Sequence, residues 1–255
     1  MIELKNISVN YGKAEVLKGL SLSIEKGKLI SVIGVNGSGK STLLKAIMGI
    51  VPIKSGEITV DNVHTAEMSR RELAKKIAYL AQGKGVPDMT VGQMVLHGRF
   101  PHLSYPRRYS ENDRKIATEA LEQAGISHLR EKPLSALSGG MRQNAYIAMA
   151  LAQDADYIFL DEPTSYLDIA HQLSLMKTLR SLADSGKGIV TVMHDLPLAF
   201  GFSDEVAVVD KGKIAIYDSP ENVCKRGIIK EIFGVELKYD YEEGYFFYNL
   251  GEKGK

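Results

Sequence analysis

Three short stretches of this sequence carry groups suited to handling a phosphate ester. The first, Gly34-Val35-Asn36-Gly37-Ser38-Gly39-Lys40-Ser41-Thr42, follows an apolar run and precedes the helical pattern Leu43, Leu44, Ala46, Ile47, Met48, which Gly49 ends. In that strand-loop-helix setting the glycines let successive backbone N–H groups turn inward around an anion. The helix behind adds its positive end, and Lys40 adds a full charge near the β- and γ-phosphates. Asn36, Gly37, Ser38, Gly39, Lys40, Ser41 and Thr42 are therefore the expected nucleotide contacts, with Ser41 placed to hold Mg2+. Such a cradle recognises phosphate and not the task, so kinases, GTPases, helicases and transport ATPases all share it.

The second stretch, Tyr157-Ile158-Phe159-Leu160-Asp161-Glu162-Pro163, sets two carboxylates at the end of an apolar strand. Asp161 can orient a Mg2+-bound water there, and Glu162 can take a proton from an attacking water. Ile189 to Met193 leads a comparable strand into His194, whose imidazole could contact the γ-phosphate and hold the water and Glu162 in register. The third stretch, Leu137-Ser138-Gly139-Gly140-Met141-Arg142-Gln143, precedes a helical run with Ile147, Met149 and Leu151. Ser138 and the two glycines would leave unpaired N–H groups at a helix start, a second place for an anion.

These loops need strands and helices to position them, and the patterning supplies both, giving an α/β class with two kinds of sheet. Leu20, Leu22 and Ile24 alternate with polar residues as a half-buried antiparallel strand would, whereas Leu29 to Ile33 is nearly continuous apolar, as in a strand covered on both faces. Further strands are expected at Ile58 to Val60, Ile77 to Ala81, Tyr157 to Leu160, Ile189 to Met193, Val206 to Val209 and Ile214 to Tyr217. Ser69 with Glu72 and Ser110 with Asp113 fit capping boxes that open helices. From Gly85 to Gln153 strand signals vanish, and Ile116, Ala117, Ala120, Leu121 and Ala124 line one helical face. The expected organisation is a single domain: a core of residues 1–84 and 154–235, an inserted helical unit over 85–153, and an aromatic tail over 236–255.

Composition narrows the possible partners. In 255 residues, 32 Lys and Arg nearly cancel 31 Asp and Glu, so the net charge of +1 creates no broad field for nucleic acid or anionic lipid. The tail aromatics Tyr239, Tyr241, Tyr245, Phe246, Phe247 and Tyr248 could stack on bases, but Asp240, Glu242 and Glu243 among them would repel phosphate. A hairpin turning at Glu243-Gly244 and packing on the core is the better reading. Arg70, Arg71, Lys75 and Lys76, with Glu67 and Glu72 nearby, read as a solvated helix face. The lone Cys224 excludes an internal disulfide and favours a reducing compartment. The amino terminus lacks the pattern of a secretory signal, and no stretch approaches the roughly 18 apolar residues of a spanning helix. Any membrane role is expected to come through a partner.

With the phosphate loop, Leu-Ser-Gly-Gly and Leu-Asp-Glu-Pro in this order, the sequence resembles the nucleotide-binding subunits of ATP-binding cassette (ABC) transporters over essentially its whole length. The resemblance implies a P-loop NTPase core with a mixed, largely parallel sheet, an amino-terminal antiparallel β subdomain and an inserted α-helical subdomain. It also implies that Tyr11 stacks on adenine and that Gln82 reaches Mg2+ and senses a membrane partner. Ser138, Gly139 and Gly140 would grip the γ-phosphate bound by a second copy, and Ser165-Tyr166-Leu167-Asp168 would cross the homodimer interface, so that two chains sandwich two ATP molecules. Met141 stands where the family usually has glutamine, which removes a polar side chain beside the nucleotide.

Gly98-Arg99-Phe100-Pro101-His102, Tyr166-Leu167-Asp168-Ile169-Ala170-His171-Gln172 and Asp218-Ser219-Pro220-Glu221 further resemble the subfamily that drives uptake of ferric siderophores, haem and vitamin B12. This second resemblance implies an ATPase on the cytoplasmic face of the membrane, joined to an integral permease and served indirectly by a substrate-binding protein. The alternative from another class is a non-transport ABC ATPase in cofactor assembly or on nucleic acid. A soluble scaffold in place of a permease as partner would distinguish it.

Overall fold

The structure, a computed structural model, describes residues 1–81, 85–165 and 167–249. Strands β1 (Ile2–Tyr11) and β2 (Ala14–Ile24) form an antiparallel pair. They are followed by β3 (Leu29–Ile33), the helix α1 (Lys40–Ile47), β4 (Ser55–Val60) and β5 (Val63–His64). After α2 (Arg70–Lys76) and β6 (Ile77–Leu80) come three helices in succession, α3 (Val91–His97), α4 (Glu111–Gln123) and α5 (Gly139–Gln153). The chain then alternates: β7 (Tyr157–Asp161), α6 (Ile169–Asp184), β8 (Gly188–Val192), α7 (Leu196–Phe202) and β9 (Glu205–Asp210). It closes with β10 (Lys213–Asp218), α8 (Pro220–Lys225), α9 (Ile228–Phe233) and the hairpin β11 (Glu236–Asp240) and β12 (Tyr245–Asn249).

The strands sort into an antiparallel four-stranded sheet, β2-β1-β4-β5, a six-stranded sheet, β10-β9-β3-β8-β7-β6, and the terminal hairpin. In the six-stranded sheet β9, β3, β8, β7 and β6 run parallel, and β10 pairs antiparallel on β9. The parallel strands are largely apolar because both faces are covered, with Ser31 and Thr191 as buried polar exceptions in β3 and β8. Leu29 and Ile33 of β3 join the core beneath the helices, whereas Ile30 and Val32 join the core under the antiparallel sheet. Ile158 and Leu160 of β7 divide from Tyr157 and Phe159 in the same way. Each such side chain, removed from water on folding, contributes roughly 1.5–3 kcal/mol.

Helix starts follow local chemistry. Ser69 with Glu72 and Ser110 with Asp113 form the expected capping boxes, and Thr90 with Gln93 forms a third. The aromatic tail is a hairpin whose Phe246 ring packs edge-on against Phe200, 5.3 Å between centroids. The solvated-face reading of α2 needs correction at Lys76. Its ammonium lies 3.0 Å from Asp61 and 3.1 Å from Asp156, because β7 and the turn after β4 bring those carboxylates beneath the end of the helix.

Gly98-Arg99-Phe100-Pro101-His102 is a structural latch. Arg99 is buried, its Nε donates to Asp113 at 3.1 Å and its Nη1 to the Ala152 carbonyl at 2.9 Å, tying the start of α4 to the end of α5. Phe100–His102 forms one 3-10 turn.

Candidate functional site

Because β3, β7 and β8 are parallel neighbours, their carboxyl ends open on one edge of the sheet, where ligands bind in open α/β folds. Asp161 pairs with Val192, and the Glu162 N–H donates to the Val192 carbonyl at 3.2 Å. Met193 in turn donates to Val32 at 3.2 Å, so the ends of all three strands are locked in step.

The loop after β3 is built for an anion. Gly39 has φ 111°, and a Cβ there would come within 2.8 Å of Leu17 Cδ2, so only glycine fits at the entrance to α1. Gly39 supplies no side-chain cap, which leaves the first N–H groups of α1 to a ligand. Ser38 Oγ is buried without a hydrogen-bond partner among the described residues. Asn36 and Gly37 stand exposed on the rim, and Thr42 lies half-buried in the first turn of α1. Lys40 Nζ donates to the carbonyls of Gly34 and Val35 at 2.8 and 3.1 Å. Burial pulls the Lys40 ammonium below its ordinary pKa, although Glu162 and Asp161 favour its charge.

Across the crevice, Ser41 Oγ donates to Asp161 Oδ1 at 2.9 Å, and the Tyr79 hydroxyl donates to Oδ2 at 3.2 Å. Glu162 departs from the strand with φ 52°, a left-handed conformation that costs a non-glycine residue on the order of 1–3 kcal/mol and that clusters at working sites. The turn brings Glu162 Oε1 to 2.7 Å from His194 Nε2, while Ser165 Oγ donates to Oε2 at 3.3 Å. Lys40, Ser41, Asp161, Glu162 and His194, distant in sequence, thus share one edge of the sheet.

Among the described residues, Tyr11, Ser138 and Asp168 make their contacts elsewhere. Tyr11 ends β1 with its ring 49% exposed. Ser138 caps α5, its hydroxyl accepting from the Met141 N–H at 3.3 Å, and Met141 is exposed beside it. Asp168 caps α6 and accepts from the His171 N–H at 2.8 Å, with His171 Nδ1 also 2.8 Å away. Gln82 and Tyr166 lie outside the described residues. A cavity of 410 Å3 is nevertheless lined both by Asp161, Glu162 and Ser165 and by Gly139, Gln143 and Tyr146 of α5, so the start of α5 opens toward the carboxylates. A Cβ at Gly140 would meet His171 Cδ2 at 2.3 Å, so that exposed ring would have to shift to admit one.

Tyr79 and His171 carry no site signal in the sequence, and Ser165, expected at the dimer interface, also reaches Glu162. Their signal is spatial: Tyr79 meets Asp161 only because β6 lies beside β7.

Residues 17–165 match the family described as ABC transporter. The chain belongs to that family. This ABC protein is 37% identical over 239 residues to the petrobactin import ATP-binding protein FpuD of Bacillus anthracis, covering 93% of this chain and 88% of the relative. It is 38% identical to the iron(3+)-hydroxamate import ATP-binding protein FhuC of Bacillus subtilis (strain 168), over 93% and 89% of the two chains. Among solved structures, a bacterial ABC transporter cassette determined as a dimer superposes with a TM-score of 0.74 at 30% identity, over 86% of this chain and 99% of that one. As an ATP-binding ABC protein, the chain is an ATPase. Among the described residues no helix is long and apolar enough to cross a membrane.

Proposed function

We propose that this ABC ATPase energises bacterial uptake of a ferric siderophore or a related iron-chelate, haem or cobalamin cargo through a separate permease. The cargo class is supported by the import names of its relatives. The catalytic reading is carried by the Glu162–His194 pair at 2.7 Å, held on the sheet edge that also carries the uncapped phosphate loop.

In this reading Lys40 and the backbone N–H groups of the loop hold the β- and γ-phosphates of ATP. Water attacks the γ-phosphorus, Glu162 accepts its proton, and the bond to the ADP oxygen breaks. His194 holds Glu162 and the water in line. A hydroxyl at Ser41 and a carboxylate at Asp161 are oxygen donors that fit Mg2+, Asp161 acting through water and Gln82 completing the set. When bound, Mg2+ neutralises charge on the phosphate oxygens.

Two copies close on two ATP molecules, with Tyr11 against adenine and with Ser138, Gly139, Gly140 and Asp168 meeting the other copy's nucleotide. The helical unit over 85–153 passes closure to the permease on the cytoplasmic face, and a substrate-binding protein delivers cargo outside. Capture of Glu162→Gln from detergent-solubilised native membranes with MgATP tests this reading. A stoichiometric polytopic permease is expected; a soluble scaffold or nucleic acid in its place would remove the importer.

A further inference from the structure

A carboxylate turns easily about its last side-chain bond, because that torsion is broad and roughly two-fold. Fixing the plane of Asp161 therefore takes a donor on each oxygen. Ser41 supplies one at 2.9 Å, and Tyr79 supplies the other at 3.2 Å. From these two contacts we infer that Tyr79 is a positioning residue for the divalent cation: its hydroxyl holds Asp161 Oδ2 so that Oδ1 faces Ser41. The inference rests on the proposed Mg2+ role of Asp161 and Ser41.

The sheet explains why a tyrosine can do this. Tyr79 pairs with Phe159 across the parallel β6–β7 ladder. Side chains alternate faces, so Asp161, two residues beyond Phe159, stands on the same face as Tyr79. Such diagonal neighbours lie about 7–8 Å apart at the backbone, within reach of a long aromatic side chain. The ring packs against the core shared by Tyr157 and Phe159, which fixes the direction of the hydroxyl. Asp161 is only 6% exposed and shares the cavity wall with Tyr79, so the two protein donors, rather than bulk water, set the plane of its carboxylate.

The phenol O–H is the donor in this contact. In the sequence Tyr79 stands three residues before Gln82, the expected cation contact.

Tyr79→Phe removes one oxygen and keeps the ring. The test is Mn2+ binding in the presence of a non-hydrolysable ATP analogue, read by electron paramagnetic resonance, beside analogue binding in EDTA. Loss of a group that orients a metal ligand typically costs at least about tenfold in affinity. Tyr79→Phe is expected to weaken Mn2+ by about that factor while analogue binding in EDTA stays unchanged. Asp161→Asn serves as the reference. If Asp161→Asn weakens Mn2+ and Tyr79→Phe does not, the positioning role is wrong and the cation site stands. Unchanged Mn2+ binding in Asp161→Asn overturns the cation site and this inference with it. Equal loss in EDTA and with Mn2+ for Tyr79→Phe would reduce Tyr79 to packing.

Discussion

His194 Nε2 lies 2.7 Å from Glu162 Oε1, across the gap between two adjacent parallel strands. Glu162 holds φ 52° to reach that position, and its backbone N–H is tied to Val192 at 3.2 Å. A strained carboxylate held on both sides is suited to accepting one proton from one direction. Replacing Glu162 by glutamine keeps the shape and removes the base. ATP binding is expected to persist while single-turnover hydrolysis falls at least about a hundredfold. Turnover within a few-fold of the original would remove Glu162 from the base role.

Lys40 already donates to two loop carbonyls, and its ammonium is favoured by Glu162 and Asp161 against the penalty of burial. Lys40→Ala should weaken ATP by at least about tenfold, since a charge-assisted bond to phosphate is worth roughly 1.5–3 kcal/mol. Titration of a fluorescent ATP analogue measures it. Unchanged affinity would contradict the phosphate loop.

At Gly140 a new methyl would sit 2.3 Å from the exposed His171 ring that Asp168 holds at 2.8 Å, so the ring must leave Asp168 to make room. Gly140→Ala is expected to cost about 1 kcal/mol or less of stability, the worth of such an exposed pair. Adding His171→Ala should recover part of that loss. Additive losses in urea melts of the two single variants and the double variant would show that the ring is not the obstacle.

Arg99 and Asp113 form a buried ion pair beneath the three-helix unit. Burial alone would raise the Asp113 carboxyl, but Ser110 and Arg99 more than offset it and hold it below the usual range. Arg99→Ala leaves that charge with the Ser110 N–H and hydroxyl as donors and without its cation, with an expected loss of about 1–3 kcal/mol. Chemical denaturation checks this, and a loss below about 1 kcal/mol would mean that water reaches Asp113.

Stability should also fall in acid. Asp61, against burial, is held far below the carboxylate range by the amino-terminal ammonium and Lys76, and Asp156, also against burial, is held low by Lys26 and Lys76. A carboxyl lowered on folding binds fewer protons folded than unfolded. Its contribution is full above the ordinary value of about 4 and is lost as pH falls through the folded value. Urea midpoints should be level from about pH 7 to 5 and drop below about 4, and Asp61→Asn should flatten that drop. An acid limb of equal steepness in Asp61→Asn would clear this cluster.

What could be read along the chain was local or doubly covered. The phosphate loop is nine consecutive residues, the Ser69 and Ser110 boxes span four each, and β3 is nearly continuous apolar because it has two cores. The Thr90–Gln93 box obeys the same local rule and was not among the expectations. The contacts that finish the site depend on sheet order. Tyr79 reaches Asp161 across β6 and β7, and His171 meets Gly140 from another helix. Arg99 stood in a stretch read as a subfamily mark, and only its burial against Asp113 and Ala152 displays its structural work.

The central claim is an ATP clamp made of two copies of this chain. Sedimentation of Glu162→Gln, with and without MgATP, tests it most directly. The account predicts a monomer without nucleotide and a dimer retaining two ATP molecules with it. A species that stays monomeric at saturating MgATP, although ATP is bound, would contradict the clamp.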